Sequence, residues 1–139
     1  MRITAPISAG ELVDKLTILR VKLARLSLET QKANVRQELA LLQAIAEREL
    51  AQTPIPAPLV EELEAVNAAL WDIEEGKRAC ERRWDFGRRF VHLARRVYRM
   101  NDRRAALKRV INELAQSDIV EEKSHFVPPG SLSGATVAE

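Results

Sequence analysis

At 139 residues, the chain is long enough for one domain and too short for two ordinary ones. Apolar residues make up 46% and charged residues 30%, which is a globular composition, and five glycines and six prolines are too few for an all-β chain with many tight turns. One cysteine and two histidines exclude a disulfide framework and argue against a zinc site, so we expect no metal and no cofactor.

Apolar runs are short throughout the sequence, and none approaches the ~20 residues of a membrane-spanning helix. The N-terminal stretch MRITAPISAG lacks the continuous apolar segment of a signal peptide. The single cysteine, Cys80, fits a reducing compartment. We therefore expect a cytoplasmic protein that does not associate with a membrane.

Two helices are predicted in the first 51 residues. Ser8 and Glu11 have the S-x-x-E spacing of a capping box, which marks the start of a helix over about 8–29. Leucines then recur at alternating steps of four and three, and so form one apolar stripe: Leu12, Leu16, Leu19, Leu23 and Leu26. The polar stretch 29–32 suggests a break before a second helix over about 33–51, which the prolines at 54 and 56 end.

Two longer helices are predicted in the second half. Pro58 can occupy the first turn of a helix over about 58–83. Asp85 is a plausible N-cap for a helix over about 86–117. In this last helix, nine stripe positions from Phe86 to Leu114 alternate steps of four and three without interruption.

The predicted fold class is all-α, an antiparallel bundle of four helices with short connections. It would form one domain over 8–117, after an N-terminal arm over 1–7 and before a polar tail over 118–139. The composition of the tail predicts mobility at least beyond Val127. The fourth helix, about 45 Å long by the helical rise, would overhang the bundle and offer a surface to a second copy, so we expect a homodimer.

A more polar stripe lies beside the apolar one on the first, third and fourth helices. Such positions lie at the edge of a core, where an unpaired polar group costs roughly 1–3 kcal/mol. The partners could be one another, in a network that fixes helix register, or a small ligand in a polar pocket. The candidate residues of this polar seam are Asp14, Thr17, Trp71, Glu74, Arg78, Tyr98, Asn101, Lys108 and Asn112.

Positive charge is concentrated in one part of the chain. Residues 77–109 contain 13 Lys and Arg against three acids, a net charge of +10, whereas the whole chain carries +2. A candidate basic face on the fourth helix comprises Arg88, Arg89, His92, Arg95, Arg96 and Arg99. An acidic third helix could pair with this face, and an acidic protein, a phosphorylated small molecule or a nucleic acid could bind it. Aromatic residues are too few to favour nucleic acid.

Catalytic signals are weak. Cys80 fits a small core residue better than a nucleophile, and the cationic neighbours of His92 disfavour its charged form. Glu61 and Glu64 have the E-x-x-E spacing with which all-α nucleotide pyrophosphohydrolases hold Mg²⁺, but Glu81 and Asp85 are four residues apart rather than three. No phosphate-binding loop and no H-E-x-x-H motif occurs, so the sequence argues against an enzyme.

Three stretches together resemble a family of small bacterial proteins classed as a domain of unknown function. They are ISAGELVDKLTIL at 7–19, LWDIE at 70–74 and NDRRAALKRVIN at 101–112. The resemblance implies no activity, ligand or cofactor. It draws attention to Lys15, Asp102 and Arg103 in addition to the polar seam.

We therefore expect a non-enzymatic interaction or scaffold protein that presents the basic face to an acidic partner or to a second copy. The alternative is a small-molecule-binding protein or enzyme that takes a phosphate- or nucleotide-sugar-type ligand in the polar seam, to which Asp102 and Arg103 would then belong. Nucleic-acid binding is the third possibility.

Overall fold

The computed structural model describes residues 1–125, and four helices account for most of them. They are α1 (Ala9–Arg25), α2 (Glu29–Glu49), α3 (Ala57–Arg82) and α4 (Arg88–Leu114), and this part of the chain contains no strand. The all-α prediction is confirmed, and every helix begins and ends within four residues of its predicted limits.

The start of α1 follows the predicted capping pattern only in part. The Ser8 hydroxyl accepts a hydrogen bond from the Glu11 backbone N–H at 3.1 Å. The Glu11 carboxylate does not return to the cap but binds Lys108 of α4. The break before α2 lies at 26–28 rather than at 29–32, because the acidic residue that opens α2 suits the positive end of a helix dipole.

Consecutive helices run antiparallel, and α1 is the central one. The helix α1 contacts each of the other three helices, whereas α2 contacts only α1 among the described helices. At one end of α1, Gly10 lies against Asn112 near the end of α4. At its other end, Arg25 lies against Asp72 of α3. The helix α1 therefore runs parallel to α3 and antiparallel to α4.

Both sides of α1 are buried, each in its own apolar cluster. The leucine stripe faces α2, where Leu12 and Leu16 pack with Ala46. The opposite side faces α3 and α4, where Val13 packs in a cluster with Leu63 and other fully buried residues. The polar stripe of α1 therefore lies inside the fold rather than at the edge of the core as predicted.

The helices α3 and α4 form a long hairpin that extends past α1. The end of α1 is next to Asp72, so ten further residues of α3 project by about 15 Å. We call residues 77–99 the arm and residues 82–90 its tip. The overhang predicted for the fourth helix is thus shared by two paired helices.

The turn at the tip differs from the predicted one. Asp85 does not cap α4, which begins after Gly87, and its carboxylate accepts instead from the Gly87 N–H at 3.1 Å. The end of α3 is closed by two backbone bonds, from Asp85 N–H to the Cys80 carbonyl and from Trp84 N–H to the Glu81 carbonyl. This is a Schellman motif, and it places Trp84 in the left-handed region with φ 54°.

The residues after α4 fold back on the end of the bundle. The Ser117 hydroxyl accepts from the Ala9 N–H at 3.4 Å, and Glu121 lies 2.9 Å from the Lys108 ammonium. The predicted mobility beyond Val127 concerns residues outside the described range. In residues 1–125, no helix combines the length and apolar character that crossing a bilayer requires.

Candidate functional site

A buried carboxylate lies at the centre of the bundle. Asp14 has no exposed surface, and its Oδ1 accepts from Arg104 Nε at 2.9 Å and from Asn67 Nδ2 at 2.9 Å. The second carboxylate oxygen accepts from the same guanidinium. Thr17, one turn further on, accepts from Asn67 and donates to the Asp14 carbonyl. One carboxylate thus joins α1 to both α3 and α4.

Lys108 forms a second centre one turn away from Arg104. Its ammonium lies 2.7 Å from Glu11, 2.9 Å from Glu121 and 3.9 Å from Asp14. Burial alone would lower the pKa of Lys108, but the bonds to the two glutamates outweigh burial and raise it. The pKa of Arg104 is raised chiefly by its hydrogen bonds to Asp14. Both cations therefore stay charged at neutral pH.

The network leaves no buried polar atom for a ligand to satisfy. Among residues 1–125, every buried side-chain nitrogen and oxygen has a hydrogen-bond partner. The arrangement therefore matches the network that fixes helix register, which was one of the two interpretations of the polar seam.

Four members of this network are not among the candidate site residues, namely Glu11, Asn67, Arg104 and Glu121. The sequence pattern places Arg104 in the apolar stripe of the fourth helix, between Met100 and Leu107, and Asn67 on the polar stripe of the third helix without making it a candidate. A charged residue within an otherwise apolar stripe was the available signal, because such a residue is buried only when it has a partner.

Some of the predicted seam residues lie away from the network. Lys15 is exposed and lies 3.9 Å from Glu11. Arg103 pairs with Glu62 on the surface of α3. Asp102 is half-buried and makes no ion pair within the described range. These three residues, to which the family resemblance drew attention, thus lie outside the buried centre of the network.

The polar candidate residues of α4 lie in different environments. Asn112 is buried, and its side-chain oxygen accepts from the Gly10 N–H at 2.6 Å. Asn101 is exposed and lines a shallow hollow with Arg104 and Lys108. Tyr98 is exposed on the arm, where hydrogen bonding to Arg95 lowers its pKa.

A cleft lies where the arm meets the body. It encloses about 370 Å³ between the second half of α1, the middle of α3 and Arg104 of α4. Three predicted seam residues line it, namely Trp71, Glu74 and Arg78. Its volume is near the lower limit for small-ligand sites.

The candidate basic face lies on the arm and is open to solvent. Arg88, Arg89, His92, Arg95 and Arg99 are exposed, and Arg96 is half-buried. Arg95 and Arg99 interact with the neighbouring Tyr98 hydroxyl. Within residues 1–125, none of the basic-face residues forms an ion pair with a carboxylate, although α3 with its acidic residues lies alongside.

No cluster that could hold a metal occurs in the described range, in the sense of three or more neighbouring His, Cys, Asp or Glu side chains. Glu64, one of the pair with metal-binding spacing, instead lies 3.7 Å from Arg20. Cys80 is buried in the arm as a free thiol.

Comparison with known proteins adds one match. The sequence model of a family of unknown function covers residues 2–136, nearly the whole chain. No curated protein and no solved structure matches. The resemblance noted in the sequence is thereby confirmed, and a function must be argued from the geometry.

Proposed function

Because the chain belongs to a family of unknown function, DUF6165, its relatives provide no activity, and we propose from the geometry that it is a non-enzymatic interaction protein. In this proposal the basic face of the arm binds an acidic partner. The buried network around Asp14 holds the body together and gives the arm a rigid base.

The observation that carries the proposal is the unequal pairing of cations along α4. In the body, Arg103, Arg104 and Lys108 each face a carboxylate. On the arm, the basic-face cations have none in the described range. Arg88 and Arg89 also occupy the first turn of α4, where the helix dipole disfavours positive charge. These charges therefore do not stabilise the fold, and a binding role accounts for them.

The partner could also be a second copy of the chain. A homodimer, in which the arm of one copy meets acidic residues of the other, is part of this proposal, as is a cytoplasmic setting, which the free thiol of Cys80 fits. Light scattering measures the mass in solution, and a mass of one chain at every concentration would reject the dimer.

The basic face can be tested with labelled poly-glutamate as an acidic probe. We expect salt-sensitive binding that weakens about fivefold for each arginine removed, since an exposed ion pair contributes up to about 1 kcal/mol. The test variant is Arg89→Gln with Arg96→Gln. The matched control is Arg36→Gln with Arg48→Gln on α2, which changes the net charge equally. Equal binding by the two variants would contradict the proposal.

A second candidate function rests on the cleft. Arg78 reaches it beside the Trp71 side chain, which suits a phosphate- or nucleotide-sugar-type ligand. Glu74 and Glu75 also line the cleft, and the guanidinium of Arg104 is already engaged with Asp14. In a thermal-shift screen with sugar nucleotides, a ligand at a hundred times its dissociation constant stabilises by about 2.7 kcal/mol. Arg78→Gln should remove that shift without lowering the melting temperature of the free protein.

Nucleic-acid binding is tested by titration with labelled RNA at low and moderate salt. Absence of binding at low salt would reject nucleic acid as a ligand.

A further inference from the structure

We propose that the acidic partner of the arm is an anionic lipid surface, and that the tip lies in its headgroup region. The inference rests on the proposed function, since it names the partner of the same basic arm. It concerns a helical hairpin that touches a bilayer with its end, not one that crosses it.

Aromatic side chains cover the part of the arm that is farthest from the body. Trp84 is 84% exposed and Phe86 is 45% exposed. The rings of Trp84, Phe86 and Phe90 form a chain of edge-to-face contacts with centroids 6.1 and 5.4 Å apart. Large aromatic residues at an exposed end are typical of proteins that insert into the headgroup layer, where one edge of the ring is apolar and the other wet.

The position of Trp84 is unfavourable for folding. It occupies the left-handed position of the Schellman motif, which glycine usually fills because a side chain is strained there. The indole is also largely in water, so little packing compensates for that strain. Neither the backbone nor the core of this protein accounts for a tryptophan at the tip, whereas insertion of the indole into a bilayer does.

The tip contains four arginines beside its aromatic residues. Arg82 and Arg83 precede Trp84, and Arg88 and Arg89 follow Phe86. None of these four arginines forms an ion pair in the part of the chain that the structure describes. The only acid between them, Asp85, is engaged with the Gly87 N–H. Arginines around an aromatic group match a layer of anionic lipid headgroups, and each contributes about a factor of five in affinity (~1 kcal/mol) near such a surface.

The shape and charge of the arm favour a lipid surface over the other acidic partners. The arm has nine Lys and Arg and two acids, so two arms side by side would repel each other. The arginines are exposed at the projecting end of the hairpin. A protein would need a concave acidic pocket to meet them all, whereas a fluid bilayer adapts to the tip. The expectation that the protein does not associate with a membrane came from the lack of a spanning segment, and this proposal departs from it.

The test is co-sedimentation of the full chain with vesicles. Vesicles of phosphatidylcholine with phosphatidylglycerol should pull down the protein at low salt, and vesicles of phosphatidylcholine alone should not. Binding should weaken as salt rises, because the charges are exposed. In a Trp71→Phe background, the emission of Trp84 should shift to shorter wavelength on binding.

Two variants separate the proposal from a merely structural role. Trp84→Gly should raise the melting temperature by a few degrees, since it relieves the left-handed strain, and should weaken vesicle binding about tenfold by loss of the inserted indole. Arg88→Gln with Arg89→Gln should weaken binding roughly 25-fold by the same arginine contribution. The control, Arg36→Gln with Arg48→Gln, should bind as the wild type does.

The outcomes separate the anionic lipid surface from the more general proposal that the arm binds an acidic partner. If anionic vesicles do not bind the protein, or if both tip variants bind as well as the control, the inference is wrong. Binding of poly-glutamate through the arm without vesicle binding would overturn the inference and leave the proposed function standing. If neither probe binds, both are wrong.

Discussion

A single methyl group added at Gly10 tests how closely α1 must approach α4. A Cβ built at Gly10 would lie 2.5 Å from the Lys108 carbonyl oxygen and 2.8 Å from the Asn112 side-chain oxygen. Ordinary contact requires at least 3.4 Å, so α1 and the backbone of α4 would have to separate by about 0.9 Å. Such a shift would stretch the bond from the Gly10 N–H to Asn112, which is 2.6 Å long, to about the outer limit of a hydrogen bond.

The expected loss in the free energy of unfolding for Gly10→Ala is about 3 kcal/mol. Overpacking a rigid contact costs ~1–3 kcal/mol, and a buried amide without a partner costs a further ~1–3 kcal/mol. The higher helix propensity of alanine offsets up to ~1 kcal/mol of this sum. Urea unfolding followed by circular dichroism at the helical minimum measures the difference.

The matched control is Gly76→Ala in the middle of α3. There the added Cβ would meet only the end of the Leu93 side chain at 3.1 Å, which can rotate away. The variant should therefore keep most of the ~1 kcal/mol gain in helix propensity and be as stable as the wild type or more so. A Gly10→Ala variant as stable as the wild type, or an equal loss of stability in the two variants, would show that α1 and α4 do not need this close approach.

Two further predictions concern the buried network and its pH dependence. Asp14→Ala should lower the free energy of unfolding by about 3–5 kcal/mol, because it leaves the Arg104 charge buried without its partner. The control Asp72→Ala, at an exposed ion pair, should lower it by under about 1 kcal/mol. Similar losses for the two variants in urea unfolding would show that the network is not structural. Glu121, whose pKa is lowered chiefly by its hydrogen bond to Lys108, adds stability that is complete above its ordinary pKa of 4.5 and disappears as the pH falls through the folded value. The difference in unfolding free energy between wild type and Glu121→Gln should thus be present at pH 7 and shrink steadily below pH 4.5, and a difference independent of pH would contradict this assignment.

Local patterns in the sequence predicted the helices well. The leucine steps, the Ser8 cap and Pro58 depend on neighbours within one or two turns, and the structure confirms each of them. The break between α1 and α2 was harder to place, because leucines occupy it and the polar residues after it form a good first helical turn.

The polar centre was only partly predictable, because it depends on which helix faces which. Asp14 was recognised as needing partners, but its strongest partner, Arg104, comes from α4, 90 residues away. Two features of α1 were also hidden in the sequence. Its leucine stripe marks the side that faces α2, while its polar side is buried against α3 and α4. A helix buried on two sides has no single apolar face from which its neighbours can be predicted.

The limited contacts of α2 have a consequence for how the molecule opens. Because α2 packs on α1 and on no other described helix, and has only two buried residues, Val35 and Ala46, we expect it to detach without disturbing the other three helices. Hydrogen exchange of its amides should then report a smaller opening free energy than that of global unfolding. The opened form would keep the Asp14 network intact. It would also expose Leu12 and Leu16, which are buried against α2 in the closed form, as an apolar surface.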